Sequence, residues 1–247
     1  MDLTTLDFDL IYYLPAELQL IILQQLTDGE KMLCWMVSRS WRQWMKNFWS
    51  DLEFDPNTIL DHSATIGSEK LATLAMKIGA NNLEESFIRA ASCNQLNLLK
   101  MLKTKGEASV ILWRRGIYQL AFDEASAYGH IEIMIWLKNY NRKRNNRNKN
   151  NGKGNDRKRN NRNKNNRRND DAISNYKQSF IWAAEYGHYD ALKLIIEWER
   201  EDLMGCDLKV QEEMMIRNCI LAIIRAEENG HKKCARLLID NCRNLRC

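Results

Sequence analysis

The chain has 247 residues and no two cysteines at Cys-x-x-Cys spacing, and its seven cysteines (34, 93, 206, 219, 234, 242 and 247) are odd in number. Zinc sites are built from close ligand pairs, so a metal is not expected. Most of these cysteines fall inside apolar helical patterns, where a free thiol packs as a small hydrophobe. The first ten residues, "MDLTTLDFDL", lack the basic start and long apolar core of a secretory signal. No stretch reaches the roughly 18 consecutive apolar residues of a membrane-spanning helix. A soluble protein of a reducing compartment is expected, cytoplasmic with nuclear entry left open, and without a membrane partner. No phosphate loop, nucleophile elbow or His-Glu-x-x-His motif is present. Without a convergent acid, base and nucleophile, neither catalysis nor a cofactor is expected.

Basic charge is abundant in one place. Residues 141–170 consist only of Asn, Arg, Lys, Gly and Asp, and the decamer "RKRNNRNKNN" at 142–151 recurs at 157–166. This tract carries 13 basic and two acidic residues. The whole chain has 37 and 32, which leaves 24 basic and 30 acidic elsewhere. The net charge of +5 therefore describes the tract, and the body is acidic. A like-charged run with no apolar side chain buries nothing and is expected to be disordered. It contains no aromatic residue to stack on bases, which argues against nucleic acid as partner. The "RKR" triplets at 142–144 and 157–159 fit a nuclear-import signal, and contact with some other polyanion is the remaining alternative.

Aligning the chain on itself brings four segments together: "FIRAASCNQLNLLKML" from Phe87, "FDEASAYGHIEIMIWL" from Phe122, "FIWAAEYGHYDALKLI" from Phe180 and "IIRAEENGHKKCARLL" from Ile223. Ala90, Ala125, Ala183 and Ala226 share one column. Phe87, Phe122, Phe180 and Ile223 share the column three residues earlier. A turn follows, Gly129-His130, Gly187-His188 and Gly230-His231, with Asn94-Gln95 in the first copy; Asn is the usual substitute for Gly in the left-handed region. Beyond each turn apolar residues recur at helical spacing: Leu98, Leu99 and Leu102, then Ile133, Met134 and Leu137, then Ala191, Leu192 and Ile195, then Cys234, Ala235 and Leu238. Each unit reads as helix, tight turn and antiparallel helix. Such pairs bury their apolar faces only by stacking. His130, His188 and His231 take a structural role in this reading, one per turn.

This pattern resembles the ankyrin repeat, whose Ala-Ala-x-x-Gly-His core stands complete as "AAEYGH" at 183–188. The family's Thr-Pro-Leu-His opening is replaced by "QSFI" at 178–181, as in the degenerate repeats of large DNA viruses of protists. The resemblance implies a helical solenoid over 71–242, of about four repeats, that binds a protein through a variable surface. The second turn residues, at 95, 130, 188 and 231, are 35, 58 and 43 apart, against an ankyrin period of about 33. The largest excess coincides with 141–170, which reads as an insert at an exposed repeat junction.

Residues 14–49 read "LPAELQLIILQQLTDGEKMLCWMVSRSWRQWMKNFW". Pro15 suits a first helical turn, and Leu18, Ile22 and Leu26 fall on one stripe with Ile21 beside it. Thr27-Asp28-Gly29 reads as a break before a second helix around 30–36. Ser38 caps a third helix that contains Trp41, Trp44, Met45 and Phe48. The order and spacing resemble an F-box over 10–50: Leu14-Pro15-Ala16-Glu17-Leu18, then Ile22-Leu23 with Leu26, then Val37-Ser38-Arg39-Ser40-Trp41. Lys31 departs from the family's usual Leu, with Met32 alongside. The resemblance implies docking to a Skp-family adaptor of a cullin ubiquitin ligase, led by Leu14, Pro15, Leu18, Ile22 and Val37. Residues 51–70, with Pro56 and Gly67, read as a connector, and a further helix is expected at 70–78.

The expected fold is all-α, and the expected function is a non-catalytic receptor that brings an unknown target protein to the ligase. A repeat scaffold or competitor with no ligase link is the alternative.

Overall fold

Among the described residues of this computed structural model (14–37, 39–46, 54–108, 116–140, 176–203 and 208–244) every regular element is an α-helix. The chain divides into two units, Met1–Ser86 and Phe87–Cys247.

The first unit holds α1 (Ala16–Gln25), α2 (Asp28–Val37), α3 (Arg39–Lys46), α4 (Pro56–Ile66) and α5 (Glu69–Lys77). Pro15 immediately precedes α1, and its carbonyl accepts from the amides of Leu18 and Gln19 at 3.0 and 3.1 Å. Leu23 and Met45 are the buried centre, with Leu20, Ile22, Leu26, Cys34, Trp35 and Phe54 packed around them. Ile22 and Leu26 thus share the inner side of α1, whereas Leu18 faces out.

Thr27 and Glu30 form a capping box: Thr27 N donates to Glu30 Oε2 at 2.8 Å, and Glu30 N to Thr27 Oγ1 at 3.3 Å. The second helix therefore starts at Asp28, and Gly29 lies inside it, where a break was expected. A Cβ at Gly29 would strike the His62 ring, so glycine serves here for close packing on α4.

The connector expected at 51–70 is instead largely helix. Asp55 caps α4 by accepting from the amides of Asn57 and Thr58 at 3.0 and 3.1 Å, and Pro56 occupies the first helical turn, where a missing N–H costs nothing. Gly67 ends α4 in the left-handed region at φ +77°. The two residues that suggest irregular chain are thus a helix start and a helix stop. Ser68 caps α5, its hydroxyl accepting from Leu71 N at 3.3 Å. The connection to α6, 78–82, contains no strand.

The second unit continues with α6 (Leu83–Ser92, begun in the first unit), α7 (Leu96–Ala108), α8 (Ile117–Ala127), α9 (131–140), α10 (Lys177–Glu185), α11 (Tyr189–Leu203), α12 (Leu208–Glu228) and α13 (Lys232–Asn244). α8, α10 and α12 pack in succession, and α11 packs on α13. All four alanines of the repeat column, and Phe87, Phe122 and Phe180, have no exposed surface, whereas Ile223, the fourth member of the bulky column, is half-buried. The twelve apolar residues expected behind the turns are buried as well.

Each turn closes with the same bond. His130 N donates to Ala125 O, His188 N to Ala183 O, His231 N to Ala226 O and Gln95 N to Ala90 O, at 2.7 to 2.9 Å. This six-to-one bond, with a left-handed residue before it, is the Schellman closure. Asn94 holds that left-handed place at φ +59°, as the alignment requires. The α4–α5 pair repeats the arrangement, since Ser68 N donates to Ser63 O at 3.1 Å and Leu60, Ser63, Leu71, Ala72 and Ala75 are fully buried. Five helix pairs of one register are therefore present among the described residues, against the four expected. The tract 141–170 lies outside the described residues.

Candidate docking surfaces

α1 divides its apolar side chains between two sides. Leu23 is fully buried, while Leu18 and Ile21 are 47% and 50% exposed. Pro15 is also exposed and Leu14 half-buried. Gln19 is buried and ties the helix start down, its Nε2 donating to Leu14 O at 2.8 Å. Of the five residues the F-box resemblance selects, Leu14, Pro15 and Leu18 thus lie together at one helix end with accessible surface. Ile22 packs inward, and the side chain of Val37 lies outside the described residues, as do Ser38 and the side chains of Trp41 and Trp44. Lys31 is buried beside Asp28, 3.0 Å from its carboxylate, with its ammonium 6.0 Å from the centre of the Phe54 ring. Met32 supplies the apolar contact next to it, 4% exposed.

The repeat turns form a second edge. Each turn histidine reaches back to the preceding pair: His130 Nε2 donates to Ser92 O at 2.8 Å, and the His188 ring bonds the Ala127 carbonyl, the matching position one repeat on. Burial, above all, pushes the His188 pKa below its usual value, so the ring stays neutral at pH 7. The ring also lies over the turn glycine of its neighbour. A Cβ on Gly129 would come within 2.6 Å of His188 Nδ1, and one on Gly187 within 2.5 Å of His231 Nδ1. These histidines are ties between repeats. Among the described residues no group of three or more His, Cys, Asp or Glu is gathered to hold a metal ion.

Outside this ladder stand aromatic rings that the alignment did not single out. Tyr128 and Tyr186 precede Gly-His in successive pairs, are 56% and 58% exposed, and stack with centroids 6.5 Å apart and planes 7° from parallel. Tyr189 adds a further exposed ring. The signal was available in the shared tyrosine of "AYGH" and "EYGH". An exposed aromatic ladder on a rigid edge is a ready contact surface for another protein.

Polar groups inside the second unit lock it. Asp123, 5% exposed, accepts from Ser179 Oγ and from Gln119 Nε2 at 3.0 Å. Burial drives its carboxyl up to about 6 against the pull of these bonds. Asp61 and Ser86, at the same two repeat positions in the first unit, are joined at 2.7 Å. Lys138 at the end of α9 bonds Asp202 and the Tyr176 hydroxyl, and Tyr176 donates to Asp202 at 2.6 Å. This triad ties Lys138 and Tyr176, on either side of residues 141–170, to α11.

No family model and no curated protein matches the chain. No helix among the described residues is long and apolar enough to cross a membrane.

Proposed function

We propose that the chain is a non-catalytic substrate receptor: its N-terminal helices dock a Skp-family adaptor of a cullin ubiquitin ligase, and its ankyrin-type repeats hold the target protein. The observation that carries this reading is the outward end of α1, where Pro15, Leu18 and Ile21 are exposed on a helix whose core needs are met by Leu23. A small soluble module rarely leaves neighbouring large apolar side chains in water without a partner to cover them. The order of the Leu-Pro-x-Glu-Leu and Val-Ser-Arg-x-Trp segments supports a Skp-family adaptor as that partner. The tyrosine ladder supplies the aromatic anchors that protein interfaces favour. Target choice follows from exposed side chains of the repeats, which vary without disturbing the buried columns.

Co-purification tests the proposal. The chain is expected to retain a Skp-family adaptor, and replacement of Leu14 and Pro15 by Ala is expected to remove it while the helical signal persists. Undiminished retention by that double variant would leave a repeat scaffold that binds a partner with no ligase link.

A further inference from the structure

Tyr128 and Tyr186 end α8 and α10 at the same repeat position, with nearly the same backbone angles (φ −104°, ψ 3° and φ −94°, ψ 2°). The glycines after them, Gly129 and Gly187, reverse the chain in the left-handed region at φ +70° and +77°, and both tyrosines are left more than half exposed. The row of near-parallel rings begins at His130, whose centroid lies 6.0 Å from that of Tyr128 with planes 15° from parallel. It ends at Tyr186, because the matching position of the next repeat is the exposed Asn229. The buried columns and the histidine bonds already tie these repeats together, so the exposed rings are not needed for that purpose.

Charge decides what such a row can receive. Residues 118–137 and 178–192 contain no Lys or Arg. Glu132 and Asp190 are exposed, each two residues beyond the turn histidine of its repeat, and Glu185 beside Tyr186 is half-buried. None of these three is in an ion pair among the described residues. The outer turns differ, since Arg89 precedes the first and Lys232 and Lys233 follow the last, all exposed. An acid in the first turn of a helix complements the helix dipole, which accounts for Glu132 and Asp190 singly but not for the absence of any base around both tyrosines. Carboxylates repel the phosphates of a nucleic acid and favour a cation.

We propose that this edge binds an arginine-bearing basic segment of the target protein. The proposal rests on the target-holding half of the function above and names its partner's chemistry. A guanidinium is flat, so it stacks on Tyr186 and continues the ring row over Asn229, while its N–H groups donate to the carboxylates of the same turn, Glu185 and Asp190. Lysine brings the charge without the flat face.

Fluorescence anisotropy of a labelled octapeptide of alternating Gly and Arg, titrated with the full chain, tests this. Binding is expected, weakening as salt rises, and at least about threefold tighter than for the Gly-Lys counterpart. Tyr186→Ala is expected to weaken it about tenfold, and Glu132→Gln combined with Asp190→Asn by at least about threefold. All three positions are exposed, so thermal midpoints should stay close to the parent's. The isosteric pair decides the matter where loss of the ring disturbs the turn. Absence of binding by the parent chain, equal affinity for the two peptides, or unchanged affinity in either variant would overturn the proposal. So would binding of oligothymidylate that depends on Tyr186, which would assign the rings to bases. The titration contains no adaptor, so its failure leaves docking by α1 untouched.

Discussion

The N-terminal helices and the repeat pairs use similar apolar residues in opposite ways. In the repeats the columns point inward: Phe87, Phe122, Phe180 and the four column alanines have no accessible surface. In α1 the inner side is served by Leu23 with Ile22 and Leu26, while Leu18 and Ile21 remain about half in water. The same chemistry is buried in one place and left half in water in the other. At the repeat columns such exposure is absent save at Ile223, which is half-buried.

The sharpest way to break this contrast is to put charge into a column. Ala183→Arg both overpacks the α10 seam and buries an unpaired cation, and a loss of about 3 kcal/mol or more in unfolding free energy is expected. Denaturant titration measures it, and a variant as stable as the parent would refute the shared register of the pairs.

Acid should move the two regions in opposite directions. The folded Asp123 carboxyl is raised to about 6 by burial, against about 3.9 unfolded. Its contribution to stability is therefore greatest at low pH and declines as pH rises between these values, by up to about 3 kcal/mol. Asp123→Asn removes that decline, and at pH 7 the variant is expected to match or exceed the parent. Glu30 and Asp55 behave oppositely. Hydrogen bonds from Thr27 and from Thr58, respectively, hold their carboxyls below the usual range, so their capping contribution is present at neutral pH and lost as pH falls. Hydrogen exchange at pH 5 and 7 resolves the two regions: protection of α8 and α10 relative to α2 and α4 should increase on acidification.

A smaller effect separates two reasons for glycine. Gly187 and Gly230 share φ +77°, yet only Gly187 lies under a histidine ring. Gly230→Ala is expected to cost about 1 kcal/mol, from the left-handed backbone alone. Gly187→Ala adds displacement of His231 and is expected to cost about 2 kcal/mol or more. Equal losses in thermal unfolding would mean that the His231 ring yields freely.

The helix pairs of the second unit were largely legible because their signals are redundant. Phe and Ala columns, a left-handed turn residue and a trailing histidine agree at Phe122–His130 and Phe180–His188, and the structure puts each where the alignment implies. The α4–α5 pair carries the same geometry with only the turn glycine of that vocabulary. Its columns hold Leu60 and Ser63, its turn is Gly67-Ser68, and small Ala72 and Ala75 replace the usual large residues behind it, so composition resembled a connector. Gly29 misled for a related reason: a glycine required by a neighbouring ring inside a helix looks, in sequence, like a glycine that ends one. In the candidate site, motif spacing singles out Leu14, Pro15 and Leu18, and all three keep accessible surface. The inward turn of Ile22 depends on which neighbours α1 meets, and the Tyr128–Tyr186 stack depends on two repeats lying side by side. Neither is fixed by local pattern.

The central claim is that the exposed apolar end of α1 exists for a partner. Isothermal titration of a purified Skp-family adaptor into the full chain and into Leu18→Ala, with thermal midpoints measured in parallel, tests it most directly. Leu18 is half exposed, so truncation is expected to change folding stability by no more than about 0.5 kcal/mol while weakening adaptor affinity at least about tenfold. Unaltered affinity for the adaptor in Leu18→Ala, or no binding by the parent chain, would contradict the account.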